Sequence, residues 1–220
     1  MTNEEILGKI DHTLLKMTSS WEEIRTLCEE ALKFKTASVC IPPSYVKPVS
    51  NDIPGLNICT VIGFPLGYSI TAAKVLEAER AILSGACEID MVMNVGDVKN
   101  GRFDFVLEEI KLIKKACGQK ILKVIIETCY LTEEEKIRMC GIVTEAGADF
   151  IKTSTGFGTA GAALSDVELF KKHIGPNVKI KAAGGVKTRS DLEMFINAGA
   201  SRIGTSSAVK LLSGDCAAGY

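Results

Sequence analysis

Three times the chain leaves a helical pattern through a small residue, a glycine and an alanine, and enters an apolar run with isoleucine four residues past the glycine. The triplets are Ser84-Gly85-Ala86, Ala146-Gly147-Ala148 and Ala198-Gly199-Ala200, ahead of Ile89, Ile151 and Ile203. Glycine ends helices because it enters the left-handed conformation at little steric cost. A helix end repeated in front of a short buried strand marks a recurring helix–strand unit. The same pattern extends along the chain. Strands are predicted at 10–15, 37–41, 58–62, 88–93, 121–126, 150–152, 178–182 and 202–204. Helices are predicted from residue 20 and at 71–84, 104–117, 132–146, 164–174, 190–198 and 206–212. Ser20 with Glu23, Thr132 with Glu135, and Ser190 with Glu193 have capping-box spacing. Eight strands alternating with helices, without a composition break or long linker, predict one (β/α)8 barrel domain over residues 1–220. An open doubly wound sheet competes, but no G-x-G-x-x-G follows the first strand.

Side chains of barrel strands alternate between the interior and the helix layer. In strand four Ile89, Met91 and Met93 take the helix side, which turns Glu88 and Asp90 inward. In strand seven Val178, Ile180 and Ala182 face the helices, and Lys179 and Lys181 face in. Lys152 faces in from strand six, Lys123 and Glu127 share a face of strand five, and Asp11 and Thr13 share a face of strand one. Lysines and aspartates thus converge inside the barrel, near the strand C-terminal ends where this fold carries active sites. A structural ion-pair network is the alternative, since buried charges are commonly paired.

The richest stretch runs from residue 150 to 158, Phe-Ile-Lys-Thr-Ser-Thr-Gly-Phe-Gly. Lys152 ends a buried strand there, where an unpaired charge is costly. Hydroxyls and glycines follow, which allow close approach to a polar ligand. Gly184-Gly185 after strand seven and Ser206-Ser207 after strand eight offer backbone N–H groups and a helix start to a phosphate. Ordinary βα turns would look similar.

Composition narrows the chemistry. The formal charge is −1, with no block of like charge to bind nucleic acid. No apolar run reaches membrane-spanning length. The acidic N-terminus lacks a signal-peptide pattern, which suggests the cytoplasm. The eight cysteines form no C-x-x-C pair and there are two histidines, so no zinc spacing exists and no cofactor is expected. Two inward lysines without metal ligands suggest amine chemistry. A lysine beside another cation is driven toward the neutral amine, which attacks a carbonyl to form an imine. A protonated imine is an electron sink that permits cleavage of a neighbouring carbon–carbon bond, and a carboxylate can relay the protons.

Seven segments, together spanning most of the chain in order, resemble the deoxyribose-phosphate aldolases. They are Ile-Asp-His-Thr-Leu-Leu-Lys at 10–16, Ala-Ser-Val-Cys-Ile at 37–41 and Thr-Val-Ile-Gly-Phe-Pro-Leu-Gly at 60–67. Glu-Ile-Asp-Met-Val-Met-Asn at 88–94 and Lys-Val-Ile-Ile-Glu-Thr at 123–128 follow. The last are Phe-Ile-Lys-Thr-Ser-Thr-Gly-Phe at 150–157 and Arg-Ile-Gly-Thr-Ser-Ser at 202–207. The resemblance implies a (β/α)8 class I aldolase that reversibly splits 2-deoxy-D-ribose 5-phosphate into D-glyceraldehyde 3-phosphate and acetaldehyde. It implies Lys152 as the imine lysine, Lys181 as its partner cation and Asp90 as the proton relay. Asp11, Thr13, Cys40 and Lys123 would line the pocket, and Gly156, Gly184, Gly185, Ser206 and Ser207 would hold the phosphate. Tyr220 would reach the site from the tail, and the chain would form a homodimer. Phe157 stands where some relatives have lysine, Lys187 where many have arginine, and Ala183 where many have serine, which bears on phosphate affinity more than on chemistry. A phosphosugar isomerase or epimerase, and a sugar-phosphate-binding barrel without activity, are the competing functions.

Overall fold

The computed structural model describes residues 1–212. In chain order the elements are α1 (Asn3–Leu7), β1 (Ile10–Thr13), α2 (Trp21–Phe34), β2 (Ser38–Ile41), α3 (Pro43–Asp52), β3 (Ile58–Ile62), α4 (Thr71–Leu83) and β4 (Glu88–Val92). Then come α5 (Val95–Lys99), α6 (Phe103–Cys117), β5 (Ile121–Ile125), a 3-10 turn (Thr128–Tyr130), α7 (Glu133–Glu145) and β6 (Phe150–Lys152). The last are α8 (Leu164–His173), β7 (Lys179–Ala183), α9 (Arg189–Ala198), β8 (Arg202–Thr205) and α10 (Ala208–Leu212). Neighbouring strands pair in parallel from β1 to β8, and β8 pairs back onto β1, closing the predicted (β/α)8 barrel.

Alternation sorts the side chains as expected. Ile89, Met91 and Met93 near β4, Leu122 and Val124 of β5, Ile151, Ile180 and Ile203 pack outward against Ile110, Ile113, Met139, Val143, Phe170 and Phe195 of the helices. Each is essentially fully buried and contributes about 1.5–3 kcal/mol of transfer free energy. Inside the barrel a small apolar cluster, Cys40, Cys59 and Val61, packs under Leu15 and Phe64. Much of the remaining interior is charged.

Several boundaries differ from the sequence reading. The helix ahead of β8 starts at Arg189, because Thr188 and Asp191 form its capping box instead of Ser190 and Glu193. The earlier cap adds a residue to the helix and satisfies the N–H groups of Lys187 and Thr188 on the Asp191 carboxylate. Pro42 and Pro43 stop β2 but also open α3, since proline suits the first helical turn. The short α1 and α5 lie outside the repeat pattern. Lys179, expected to face in with Lys181, is exposed at the N-terminal mouth of the barrel, with its ammonium 5.8 Å from the centroid of Phe150. The final helix begins at Ala208, two residues later than expected. Tyr220 lies outside the described residues.

Candidate active site

Asp90 is the centre of the interior. It is buried on β4, and register sets Lys123 of β5 directly beside it. Its Oδ1 accepts from Lys123 Nζ at 2.9 Å and from the Cys59 thiol at 3.1 Å. Its Oδ2 accepts from Lys152 Nζ at 2.7 Å and from Lys181 Nζ at 2.6 Å. Lys152 and Lys181 are themselves paired positions of β6 and β7. Lys181 also meets Asp11 Oδ2 at 2.5 Å, and Lys123 meets Glu88 at 2.5 Å. Arg202 of β8 closes the lower end, binding Glu88 at 2.7 Å and also Asp11, which accepts Ser38 Oγ at 2.7 Å. The order along the network is Lys152, Asp90, Lys181 with Lys123, Asp11 with Glu88, then Arg202.

Burial opposes every charge in this column, and the partners decide the outcome. Burial pushes Asp90 up, but Lys123, Lys152 and Lys181 together hold it well below the ordinary carboxylate range. Burial likewise raises Asp11, and Lys181, Lys123 and Arg202 more than offset that, keeping it ionised. Burial pushes Lys181 down, but Asp11 and Asp90 outweigh it and hold the ammonium charged. Lys123 is held charged by Asp90, Cys59, Asp11 and Glu88 against the same penalty. Lys152 has a single carboxylate oxygen, which it shares with Lys181. It is the least compensated cation of the column.

Lys152 also sits at the floor of an open cavity of about 500 Å³. Thr13, Thr155, Gly156, Phe157, Gly184, Gly185, Lys187, Ser206 and Ser207 line this cavity, along with Leu14, Leu15, Lys16 and Val186. Gly156, Gly184 and Gly185 have left-handed φ values of 88°, 81° and 77°. At Gly184 a Cβ would come within 3.1 Å of the Gly161 backbone and 3.6 Å of Gly156, so the two loops can touch only without side chains there. Ser207 Oγ is 3.0 Å from Thr205 Oγ1 and donates to the Val186 carbonyl at 3.3 Å, tying the strand-eight loop to the strand-seven loop. Ser206 is exposed at the cavity wall. Phe157 is half-exposed at the rim and meets Phe64 edge-on at 5.3 Å between ring centroids.

Thr13, Lys152, Gly156, Gly184, Gly185, Ser206 and Ser207 therefore gather around one cavity. Asp11, Asp90, Cys40, Lys123 and Lys181 lie beneath its floor, fully buried, and of these Asp90 is bonded to Lys152. Cys40 packs beside Cys59 in the interior apolar cluster and not on the cavity wall. The ligand atoms of Cys40, Cys59 and Asp90 lie within 4.8 Å of one another, as do those of Asp11, Cys59 and Glu88. The carboxylates in both groups are already taken by lysine or arginine, which repel a divalent cation there.

The sequence profile of the DeoC/LacD family aldolases matches residues 6–213. The chain belongs to the DeoC/LacD aldolase family. Among curated relatives, a deoxyribose-phosphate aldolase of Clostridium botulinum is 61% identical over 221 residues, spanning 100% of both chains. One from Clostridioides difficile is 61% identical over 218 residues, spanning 99% of this chain and 100% of the relative. Among solved structures, the deoxyribose phosphate aldolase of Aeropyrum pernix, described as tetrameric, superposes with a TM-score of 0.88 at 32% identity. That match covers 96% of this chain and 91% of that one.

In this member of the DeoC/LacD aldolases, sequence reasoning gave Glu88 an inward face but no partner, and did not find Arg202. Strand alternation signals both, because Arg202 is two residues before the inward Gly204, whose missing side chain leaves room for Lys181 Cε. Glu127 was placed on the strand-five face, but it lies past the end of β5 in a left-handed conformation.

Proposed function

We propose that the chain reversibly cleaves 2-deoxy-D-ribose 5-phosphate into D-glyceraldehyde 3-phosphate and acetaldehyde through an imine on Lys152. The observation that carries this is the position of Lys152 at the cavity floor, the cation of the column with the fewest carboxylate contacts. Its neutral amine adds to the C1 aldehyde of the open-chain sugar, and loss of water gives the protonated imine. The C3 hydroxyl loses its proton, the C2–C3 bond breaks, and its electron pair enters the imine as an enamine. Glyceraldehyde 3-phosphate leaves, C2 takes up a proton, and water releases acetaldehyde and the free amine. Asp90, bound at once to Lys152 and Lys181, is placed to relay these protons. Lys181 keeps its positive charge beside the reacting nitrogen throughout.

Gly156, Gly184, Gly185, Ser206 and Ser207 would receive the phosphate on N–H and hydroxyl donors, with Lys187 and Lys16 as the cations of the wall. The seven described cysteines are unpaired, which suits a reducing compartment, and no described helix is long and apolar enough to cross a membrane. We infer a cytoplasmic enzyme that works as a homodimer, with sedimentation giving the assembly directly. Incubation with deoxyribose 5-phosphate, followed by assay of both aldehydes, tests the reaction. Equimolar acetaldehyde and glyceraldehyde 3-phosphate are expected. A ketose or epimeric phosphate would instead identify an isomerase or epimerase, and no turnover would identify a binding protein.

A further inference from the structure

Glu127 is only 4% exposed, and no strand pairing explains its position. It follows β5 with φ 50° and ψ 66°, a left-handed conformation that is strained for a residue with a Cβ. Strain of this kind persists where the surroundings enforce it, commonly beside functional sites. The carboxylate meets Thr155 rather than a cation. Thr155 N donates to its two oxygens at 3.1 and 3.3 Å, and the Thr155 hydroxyl makes a short bond to Oε2. That hydroxyl then accepts from Phe157 N at 3.0 Å. One residue later the chain passes close over the carboxyl group. A Cβ on Gly158 would lie 3.2 Å from Glu127 Cδ and 3.0 Å from Cys129 Sγ. A buried carboxylate thus holds Thr155 directly and Phe157 through the Thr155 hydroxyl, and Thr155, Gly156 and Phe157 all line the cavity.

We infer that Glu127 is a positioning residue for substrate recognition. It holds the loop 155–158 so that Gly156 and Phe157 form the cavity wall beside Gly184, where the phosphorylated end of the substrate is received. The inference rests on the phosphosugar reading above. Glu127 touches neither the lysine column nor the open cavity, so it acts on binding through Thr155 and leaves the imine chemistry to Lys152. A residue that merely supported the fold would affect every substrate alike.

The test compares KM and kcat for deoxyribose 5-phosphate and for unphosphorylated deoxyribose in Glu127→Ala, Glu127→Gln and Thr155→Val. Loss of the charge-assisted hydrogen bonds releases the Thr155 backbone, so Glu127→Ala should raise KM for the phosphorylated sugar by about tenfold or more. Its kcat and its KM for deoxyribose should change by less than about threefold, as expected when binding of one end alone is lost. Glu127→Gln keeps an acceptor for Thr155 N–H and should recover most of that KM. Thr155→Val should reproduce the selective rise, and should add little to Glu127→Ala because both break one linkage. If Glu127→Ala does not fold, the Gln and Val variants still decide the matter. Equal KM changes for both sugars, or a fall in kcat with unchanged KM, would overturn the inference. Borohydride trapping of the parent protein checks the imine separately, so a failed mechanism and a failed Glu127 assignment give different results.

Discussion

Lys152 and Lys181 stand opposite each other on β6 and β7 and donate to the same oxygen of Asp90, at 2.7 and 2.6 Å. The sharing is unequal. Lys181 has a second carboxylate, Asp11, at 2.5 Å, and no route to solvent. Lys152 has no second carboxylate among the described residues and borders the cavity. Four cations, Lys123, Lys152, Lys181 and Arg202, meet three carboxylates, Asp11, Glu88 and Asp90. The excess positive charge is least compensated at Lys152, the one of these groups in contact with the cavity.

Replacing Lys181 with leucine removes the neighbouring cation and leaves Asp11 to Arg202, Ser38 and a longer contact with Lys123 at 3.7 Å. Breaking one partner of a buried pair costs about 3–5 kcal/mol, so the urea midpoint should fall substantially. Turnover should drop by about a hundredfold or more at neutral pH, as for loss of transition-state stabilisation near 3 kcal/mol. Because Lys181 stands beside the reacting nitrogen, the loss should fall on kcat more than on KM. Near-parent kcat in the folded variant would assign Lys181 a role other than supporting the chemistry at Lys152.

Asp90→Asn leaves three lysines facing a neutral amide. It should lose most turnover and about 3–5 kcal/mol of stability, because the buried cations lose their common partner. Paired unfolding and activity measurements check both effects. Near-parent activity in the folded variant would show that Asp90 moves no proton.

Ser206→Glu places a carboxylate on the cavity wall where the phosphate is expected. KM for deoxyribose 5-phosphate should rise by about tenfold or more, while KM for free deoxyribose stays within about twofold, since only the charged end is repelled. Steady-state kinetics on the two sugars provide the comparison. The same change in both would move the phosphate elsewhere.

Stability should fall in alkali well before the lysines discharge. Burial pushes the Cys28 and Cys140 thiols up to about 12 and Cys117 up to about 11. Below about pH 8.5 folded and unfolded thiols are both protonated and stability is flat. Above it the unfolded thiols ionise first, so stability declines by up to roughly 1.4 kcal/mol per pH unit for each thiol until the folded values are passed. Asp90 has the opposite dependence. Its lowered value keeps its contribution complete above about pH 4 and removes it as pH falls through the folded value. Urea midpoints between pH 7 and 10 should show the alkaline decline, with a smaller slope in Cys140→Ala.

The barrel was legible because outward Ile89, Met91 and Met93 alternate with inward Glu88 and Asp90, and because helix-ending glycines repeat ahead of the strands. The same alternation brought Lys152, Lys181, Asp90 and Lys123 into one interior. Alternation does not say how far along a strand a charge lies, so Lys179 was placed inside although its side chain leaves at the N-terminal mouth. The resemblance to the aldolases, which implied that Asp11, Cys40 and Lys123 line the pocket, likewise does not separate cavity wall from buried floor. Glu127 was harder to place, because its role depends on a left-handed turn that its neighbours do not encode.

Borohydride reduction in the presence of acetaldehyde, followed by peptide mass mapping, tests the central claim most directly. The account requires an ethyl adduct on Lys152, with Lys123 and Lys181 unmodified, and its absence from Lys152→Arg, whose guanidinium forms no such imine. An adduct on Lys181, or no adduct while aldol cleavage continues, would contradict it.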